Sequence, residues 1–409
     1  MELLPSDMVS VMNLNYRRTL YACYIGYITQ AIINNLLPLL FVVLQQEFTL
    51  SVTQIGFMVT YNFAVQILVD FLAAKYAERI GYRVCIVAAH IFSAIGLVGL
   101  SFLPDILPDP YLGLLASITV YAIGGGLIEV LASPIVQALP LEHKESVMSL
   151  LHSFYCWGHA GVVLLTTLFF GLAGTSEWRL LACLWAIVPT ANIILFLISP
   201  IRVLSEDGQG MSMGALFKSR LFWMFVLLML CSGASEQAMS QWTSFFAEQG
   251  LHVPKTTGDL LGPCMFALLM GLSRWFYGTR GDRIPLQRFI LISGVLCMAS
   301  YLIAVFSPIP ILSLIGCGIC GLSVGIMWPG VFSLSAEVCP QGGTAMFALL
   351  ALAGDVGCST GPSVVSGISN LVGGELKAGL LAAIVFPLLL IIGIRILQRA
   401  SASQSCAKP

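Results

Sequence analysis

Four carboxylic acids lie in stretches where water is scarce. Asp70, Glu129, Glu236 and Asp355 each fall within a long, mostly apolar run, and about 20 such residues are what a helix needs to cross a bilayer core of ~30 Å. An ionised side chain at the centre of such a helix costs roughly 2.5 to 3.5 kcal/mol on insertion scales, so four unpaired charges would cost about 10 kcal/mol. Each acid must therefore be protonated, partnered or set in a wet cavity. Apart from Lys75, Arg288 and Arg395, which lie within three residues of a span end, Arg274 is the one base that falls inside these runs. A surplus of acids at depth suits the handling of protons or cations and argues against a strongly anionic substrate. Glu129, Glu236, His159 and Asp355 are the expected proton-coupling groups. His152 and His159, two helical turns apart, either relay protons or bind substrate, or are neutral rings hydrogen-bonded to a neighbour.

Amides and tryptophans accompany these acids at helical spacing. Asn62, Gln66 and Asp70 recur every four residues, Gln30 and Asn34 share a face, and Gln237, Gln241 and Ser244 form a stripe flanked by Glu236 and Trp242. Such stripes either hydrogen-bond one helix to another or line a cavity. Trp157, Trp242 and Trp328 offer ring faces to sugar C–H groups, or serve as packing and interfacial anchors. The expected substrate-binding set is Gln30, Asn34, Asn62, Gln66, Glu129, Trp157, Gln237, Gln241, Trp242 and Trp328.

The elements that must position these groups follow from composition. Of 409 residues, 58% are hydrophobic and 10% charged, against about 25% charged in soluble domains, so the chain is an all-α membrane protein. Twelve transmembrane helices are expected at 19–44, 55–77, 84–103, 111–138, 148–172, 180–199, 222–246, 259–279, 287–307, 310–335, 344–370 and 379–397. The links are short and turn-like, as in Pro104-Asp105-Ile106-Leu107-Pro108-Asp109-Pro110. With the N-terminus inside, every Lys and Arg except Arg179, Lys255 and Lys377 falls on the cytoplasmic side, which places both termini in the cytoplasm. Helix 1 is expected to remain uncleaved, because its apolar region follows rather than precedes the faint Leu20-Tyr21-Ala22-Cys23 box. A net charge of -1 without a long basic run gives no sign of nucleic-acid binding. The twelve cysteines are scattered through apolar stretches, Cys317 and Cys320 included, and read as packed thiols rather than disulfides or metal ligands.

The chain repeats itself at about half its length. Ala74-Lys75-Tyr76-Ala77-Glu78-Arg79-Ile80-Gly81-Tyr82-Arg83 between helices 2 and 3 answers to Gly278-Thr279-Arg280-Gly281-Asp282-Arg283-Ile284-Pro285 between helices 8 and 9. Gly158-His159 likewise answers to Gly354-Asp355, and Pro134 to Pro329. Two six-helix pseudo-repeat bundles are expected, 1–200 and 222–409, joined by a cytoplasmic linker at 201–221. The duplicated loop resembles the signature of the major facilitator superfamily, G-x-x-x-D-R-x-G-R-K between helices 2 and 3 with a weaker second copy. The second loop keeps Gly278, Asp282 and Arg283 but has Pro285 in place of Gly; the first has Ala74 for Gly and Glu78 for Asp. The resemblance implies a gating role for Glu78, Arg79, Asp282 and Arg283.

Gly124-Gly125-Gly126-Leu127-Ile128-Glu129, with Pro134 five residues on, is similar to helix 4 of the fucose-galactose-glucose proton symporters, and Gly233-Ala234-x-Glu236 with Trp242 is similar to helix 7. In that branch the glutamate of helix 4 serves proton coupling and sugar binding. The acid those symporters carry on helix 1 is Asn34 here, and the helix 4 arginine of many drug antiporters is absent from Tyr121 to Gly126. The expected protein is a secondary active transporter of the inner membrane. It is read as a monomeric, proton-coupled symporter importing a small polar solute such as a sugar or polyol by alternating access, without cofactor or metal. The alternatives are a proton-coupled exporter of organic cations or drugs and, from another class, a non-transporting membrane sensor. No nucleophile-base set or phosphate loop suggests an enzyme.

Overall fold

A computed structural model describes residues 6–139, 144–201, 211, 213–280 and 285–405. Its described residues form twelve helices long and apolar enough to cross a membrane: α1 (Tyr16–Phe48), α2 (Val52–Ala73), α3 (Tyr82–Ile106), α4 (Pro110–Gln137), α5 (Leu150–Ala173), α6 (Thr175–Ile198), α7 (Arg220–Gly250), α8 (Lys255–Tyr277), α9 (Leu286–Phe306), α10 (Pro310–Val338), α11 (Met346–Leu371) and α12 (Leu376–Arg399). All twelve overlap the spans expected from hydropathy. Helix α8 begins four residues earlier than expected, which brings Lys255 within it.

Local chemistry sets several of the helix ends. Asp109 caps α4 by accepting from the Tyr111 amide at 2.9 Å, with Pro110 in the first turn where its missing N–H costs nothing. Ser219 caps α7 through the Phe222 amide. Two π-helical turns, Phe246–Gly250 at the end of α7 and Leu260–Cys264 near the start of α8, flank the link between these helices. Helix α10 is interrupted between Val324 and Met327. At the end of α6 the last carbonyls, which have no helical donors, are taken up by Arg83, whose guanidinium donates to Phe196, Leu197 and Ser199 at 2.7 to 2.8 Å.

The chain groups into two compact units. The first comprises Met1–Leu37 with Ala64–Glu206, the second Pro38–Phe63 with Asp207–Pro409. The boundary therefore runs through α1 and α2 as well as through the linker region, so that 38–63, expected in the first bundle, belongs to the second unit. The cause is close packing inside that unit. Thr60 and Ser363 share a hydroxyl hydrogen bond at 2.5 Å, Phe41 packs on Trp242, and Gly56 lies so near Ser366 that a side chain there would collide with it.

Between helices in lipid, small residues allow the backbones to meet. In the first unit, Gly96 and Gly113 leave no room for a Cβ at the α3–α4 seam, and Gly124 fits against Ser93 and the Ala89 carbonyl. In the second, Gly357 and Gly361 of α11 press on the backbone of Leu230 and Ala234 of α7. Polar ties add to this. His90, fully buried on α3, bonds through Nδ1 to the Ile86 carbonyl, and Asn192 Nδ2 reaches both His90 Nε2 at 2.8 Å and the Ala22 carbonyl at 2.9 Å. A ring that donates from Nδ1 to a carbonyl and accepts at Nε2 is neutral.

Candidate functional site

In the first unit, α1, α2 and α4 bring four of the expected residues into one hydrogen-bonded chain. Gln30 Nε2 donates to Glu129 Oε2 at 3.0 Å and to Gln66 Oε1 at 2.9 Å, and Gln66 Nε2 donates to Asn34 Oδ1 at 2.9 Å. The three amides are buried and Glu129 is partly exposed. The glycine run of α4 makes the approach feasible, since a Cβ on Gly125 would stand 3.1 Å from Gln30 Oε1 and 3.2 Å from Gln66 Oε1, and one on Gly126 would meet Asp70 Oδ1 at 2.9 Å. Among the described residues no Lys or Arg lies within ion-pair distance of Glu129. Its polar partner is a neutral amide.

The second unit carries a different arrangement. On α7, Gln241 Nε2 donates to Gln237 Oε1 at 2.9 Å and Gln237 Nε2 to Glu236 Oε1 at 3.2 Å. The chain then passes to α8, where Arg274 stands 3.9 Å from Glu236 Oε2 and donates from Nε to the Gly325 carbonyl at the interruption of α10. Both partners are largely buried, with side-chain exposures of 14% for Arg274 and 9% for Glu236. A carboxylate held this way has its charge compensated inside the protein.

The remaining expected residues are dispersed. Asn62, buried, belongs to the second unit, whereas Gln66 and Asp70 belong to the first. His159 is buried on α5 beside Gly158, which packs on Ile28 and Ala31 of α1. Asp355 is buried on α11 beside Gly354, against which the Trp328 ring lies. Trp242 is fully buried, its Nε1 donating to the Pro362 carbonyl at 3.2 Å and its rings packed on Phe41 and Phe245. Trp157 is 48% exposed and shares an outward stripe of α5 with Leu150, Leu164 and Leu168. Of the gating set, Arg79 is exposed at the end of the helix that continues α2; the Glu78 side chain, Asp282 and Arg283 lie outside the described residues.

The structure adds groups that the sequence reading did not place at depth. Asp259, fully buried, accepts from Ser244 at 2.5 Å and pairs with Lys255 at 3.1 Å; Lys255 also pairs with Glu248 at 3.0 Å. Ser244 thus turns toward Asp259 rather than continuing the stripe of Gln237 and Gln241. Asp259 is the first residue of the expected span of helix 8, at its edge, and nothing in the spacing signals its pairing with Lys255 and Ser244.

Comparison with known proteins agrees with this architecture. The profile of the Major Facilitator Superfamily matches residues 23–362. Membrane protein MosC of Rhizobium meliloti is 25% identical over 262 residues, which span 63% of this chain and 62% of that protein. Among solved structures, a D-xylose-proton symporter aligns with a TM-score of 0.75 at 14% identity, over 94% of this chain and 96% of its own. The E. coli fucose:proton symporter gives 0.63 at 18% identity, over 92% and 98%. A bacterial homologue of the human lysosomal transporter Spinster gives 0.73 at 14% identity, over 93% and 96%. At these identities the solved structures speak to the fold. With the family profile matching most of its length, the chain belongs to the Major Facilitator Superfamily.

Proposed function

We propose that the chain is a proton-coupled symporter that imports a small, polar, uncharged solute, a sugar or polyol in the first instance, and that Glu129 is its coupling carboxyl group. The observation that carries the proposal is the contrast between the two acids. Glu236 has Arg274 beside it, so protonating Glu236 would leave a buried guanidinium without its counter-ion. Glu129 has an amide, and a carboxyl group beside an amide can gain or lose a proton without stranding a cation. The partial exposure of Glu129 gives the proton a way in, and the amides of Gln30, Gln66 and Asn34 offer hydroxyl-matching donors and acceptors next to it. Two of the structurally similar proteins are named as symporters of a sugar and protons, which supports the substrate class. In this reading the protein works as a monomer in the inner membrane with both termini in the cytoplasm, and the acid-Arg pair of Glu78 and Arg79 gates the cytoplasmic side together with Asp282 and Arg283.

The energetics suffice. A membrane potential supplies ~2.3 kcal/mol per 100 mV and a pH unit ~1.4 kcal/mol, so one co-transported proton supports accumulation of roughly 10² to 10³-fold. The test is uptake of a panel of sugars and polyols into proteoliposomes with and without an inward proton gradient, for the native chain and for Glu129→Gln. The neutral side chain should abolish gradient-driven accumulation and leave counterflow exchange at least partly intact. Accumulation by Glu129→Gln at the native level would remove Glu129 from coupling.

A further inference from the structure

Gln30 is used on one side of its amide only. Its Nε2 serves both Glu129 and Gln66, while its Oε1, in a side chain 3% exposed, has no hydrogen-bond partner among the described residues. A buried acceptor left unfilled is destabilising. This one lies on the amide that touches the acid, and it abuts the single residue of α4, Gly125, whose missing side chain leaves the terminal torsions of Gln30 and Gln66 room to turn.

The hydrogen-bond inventory of a carboxyl group changes with its charge. A carboxylate only accepts, whereas the protonated acid also has an O–H to donate. The arrangement observed suits the carboxylate, because Gln30 presents an N–H to Glu129. Protonation on Oε2, the oxygen that accepts from Gln30, sets an O–H against that N–H, and the acceptor the same partner can supply is the idle Oε1. Terminal amide torsions are broad and roughly two-fold, so a half-turn of Gln30 delivers it. That half-turn also sets Gln30 Oε1 against Gln66 Oε1. Two acceptors cannot face each other without loss, so Gln66 turns to donate, which in turn sets its oxygen against Asn34 Oδ1 and requires Asn34 to donate. The direction of every bond in the chain reverses.

We propose that Gln30 is a positioning residue that reads the protonation of Glu129 and transmits it, as a reversal of hydrogen-bond direction, through Gln66 on α2 to Asn34 on α1. The proposal rests on Glu129 being the coupling group. Asn34 is a telling end point, since Pro38 lacks the N–H that would bond the Asn34 carbonyl in a regular helix, and the boundary between the two units falls between Leu37 and Pro38. Other titratable groups on the elements around Glu129 include Asp70 on α2, Tyr24 and Tyr27 on α1, His90 on α3, Tyr121 on α4 and His152, Tyr155 and His159 on α5. Glu129 is the titratable group that Gln30 meets directly, through the Nε2 to Oε2 bond.

The test uses the full chain in lipid, with the proton itself as the probe. Infrared difference spectra between acidic and alkaline buffer, recorded with glutamine side chains carrying a ¹³C carbonyl label, should show a protonated-carboxyl band that is lost in Glu129→Gln. They should also show a labelled amide band that shifts with the same titration and is lost in both Gln30→Met and Glu129→Gln. A carboxyl band from Glu129 with no accompanying amide change in the native chain overturns the proposal, and so does an amide shift that survives in Gln30→Met. The native spectra need no variant, so poor folding of Gln30→Met leaves the first of these outcomes decisive. Failure of the coupling reading looks different, because then Glu129→Gln leaves the carboxyl band in place or transports uphill as the native chain does.

Discussion

Replacing Arg274 by Met tests whether the acid of α7 is a fixed ion-pair member. The guanidinium and the Glu236 carboxylate stand 3.9 Å apart with exposures of 14% and 9%. At an effective dielectric constant of about 20 that separation corresponds to about 4 kcal/mol of attraction. Part of this offsets the desolvation of both groups, so the net worth of the pair against an apolar substitute is small, whereas removing one member strands the other at a cost of about 3 to 5 kcal/mol. Arg274→Met should therefore be severely destabilised, and the double variant Glu236→Gln/Arg274→Met should recover at least about 2 kcal/mol of that loss. The recovery cannot be complete, because the Arg274 hydrogen bond to the Gly325 carbonyl is gone in both. The assay is unfolding in lipid-detergent mixed micelles titrated with SDS, followed by thiol labelling of the buried Cys231 and Cys297, which are protected in the folded chain. A coupling energy below about 0.5 kcal/mol would refute the assignment. The double variant should also separate the two acids functionally, retaining gradient-driven uptake that Glu129→Gln loses.

Two further outcomes follow from the packing of the first unit. Gly125→Ala places a methyl group 3.1 and 3.2 Å from the amide oxygens of Gln30 and Gln66, so the chain should fold and insert normally yet show slowed counterflow in proteoliposomes; native rates would show that those amides do not turn during transport. Asn192→Leu removes the donor to His90 Nε2 and to the Ala22 carbonyl, leaving two buried acceptors at about 1 to 3 kcal/mol each. A loss smaller than about 1 kcal/mol in the same SDS titration would count against the tie between α1, α3 and α6.

Hydropathy carried the helices, because twenty apolar residues in a row have no other stable solution in a bilayer and the polar links between them are short. The repeated acid-Arg loops and the glycine run before Glu129 carried the family resemblance. The amide chain was legible in part: the four-residue spacings put Gln30 with Asn34 and Gln66 with Asp70 on common faces, and the glycines of α4 showed where another element could come close. Spacing along one helix does not reveal which neighbour a face meets. Asn62 thus shares a stripe with Gln66 but belongs to the other unit. Trp242, which spacing leaves open as either a sugar-stacking ring or a packing one, lies against Phe41 and Phe245 and donates to the Pro362 carbonyl. Arg274 is the base farthest from the end of its span, yet its pairing with Glu236 depends on the register of α7 against α8, which no local pattern encodes. His90 offered a signal, a histidine within an otherwise apolar helix, but its partner Asn192 is 102 residues away.

The ion pairs between α7 and α8 also bear on how the protein is made. Helix α7 carries Glu236 and Glu248, and α8 carries Lys255, Asp259 and Arg274; Lys255 meets Glu248 near the link and Arg274 meets Glu236 farther along. Released into lipid one at a time, each helix would bring a charge well inside its span, Glu236 or Arg274, costing roughly 2.5 to 3.5 kcal/mol at depth. Released as a hairpin, they neutralise one another at both ends through a link of only 251–254. The favoured order of biogenesis is thus one in which α7 waits at the translocation channel until α8 has emerged, and the pair leaves for the bilayer together.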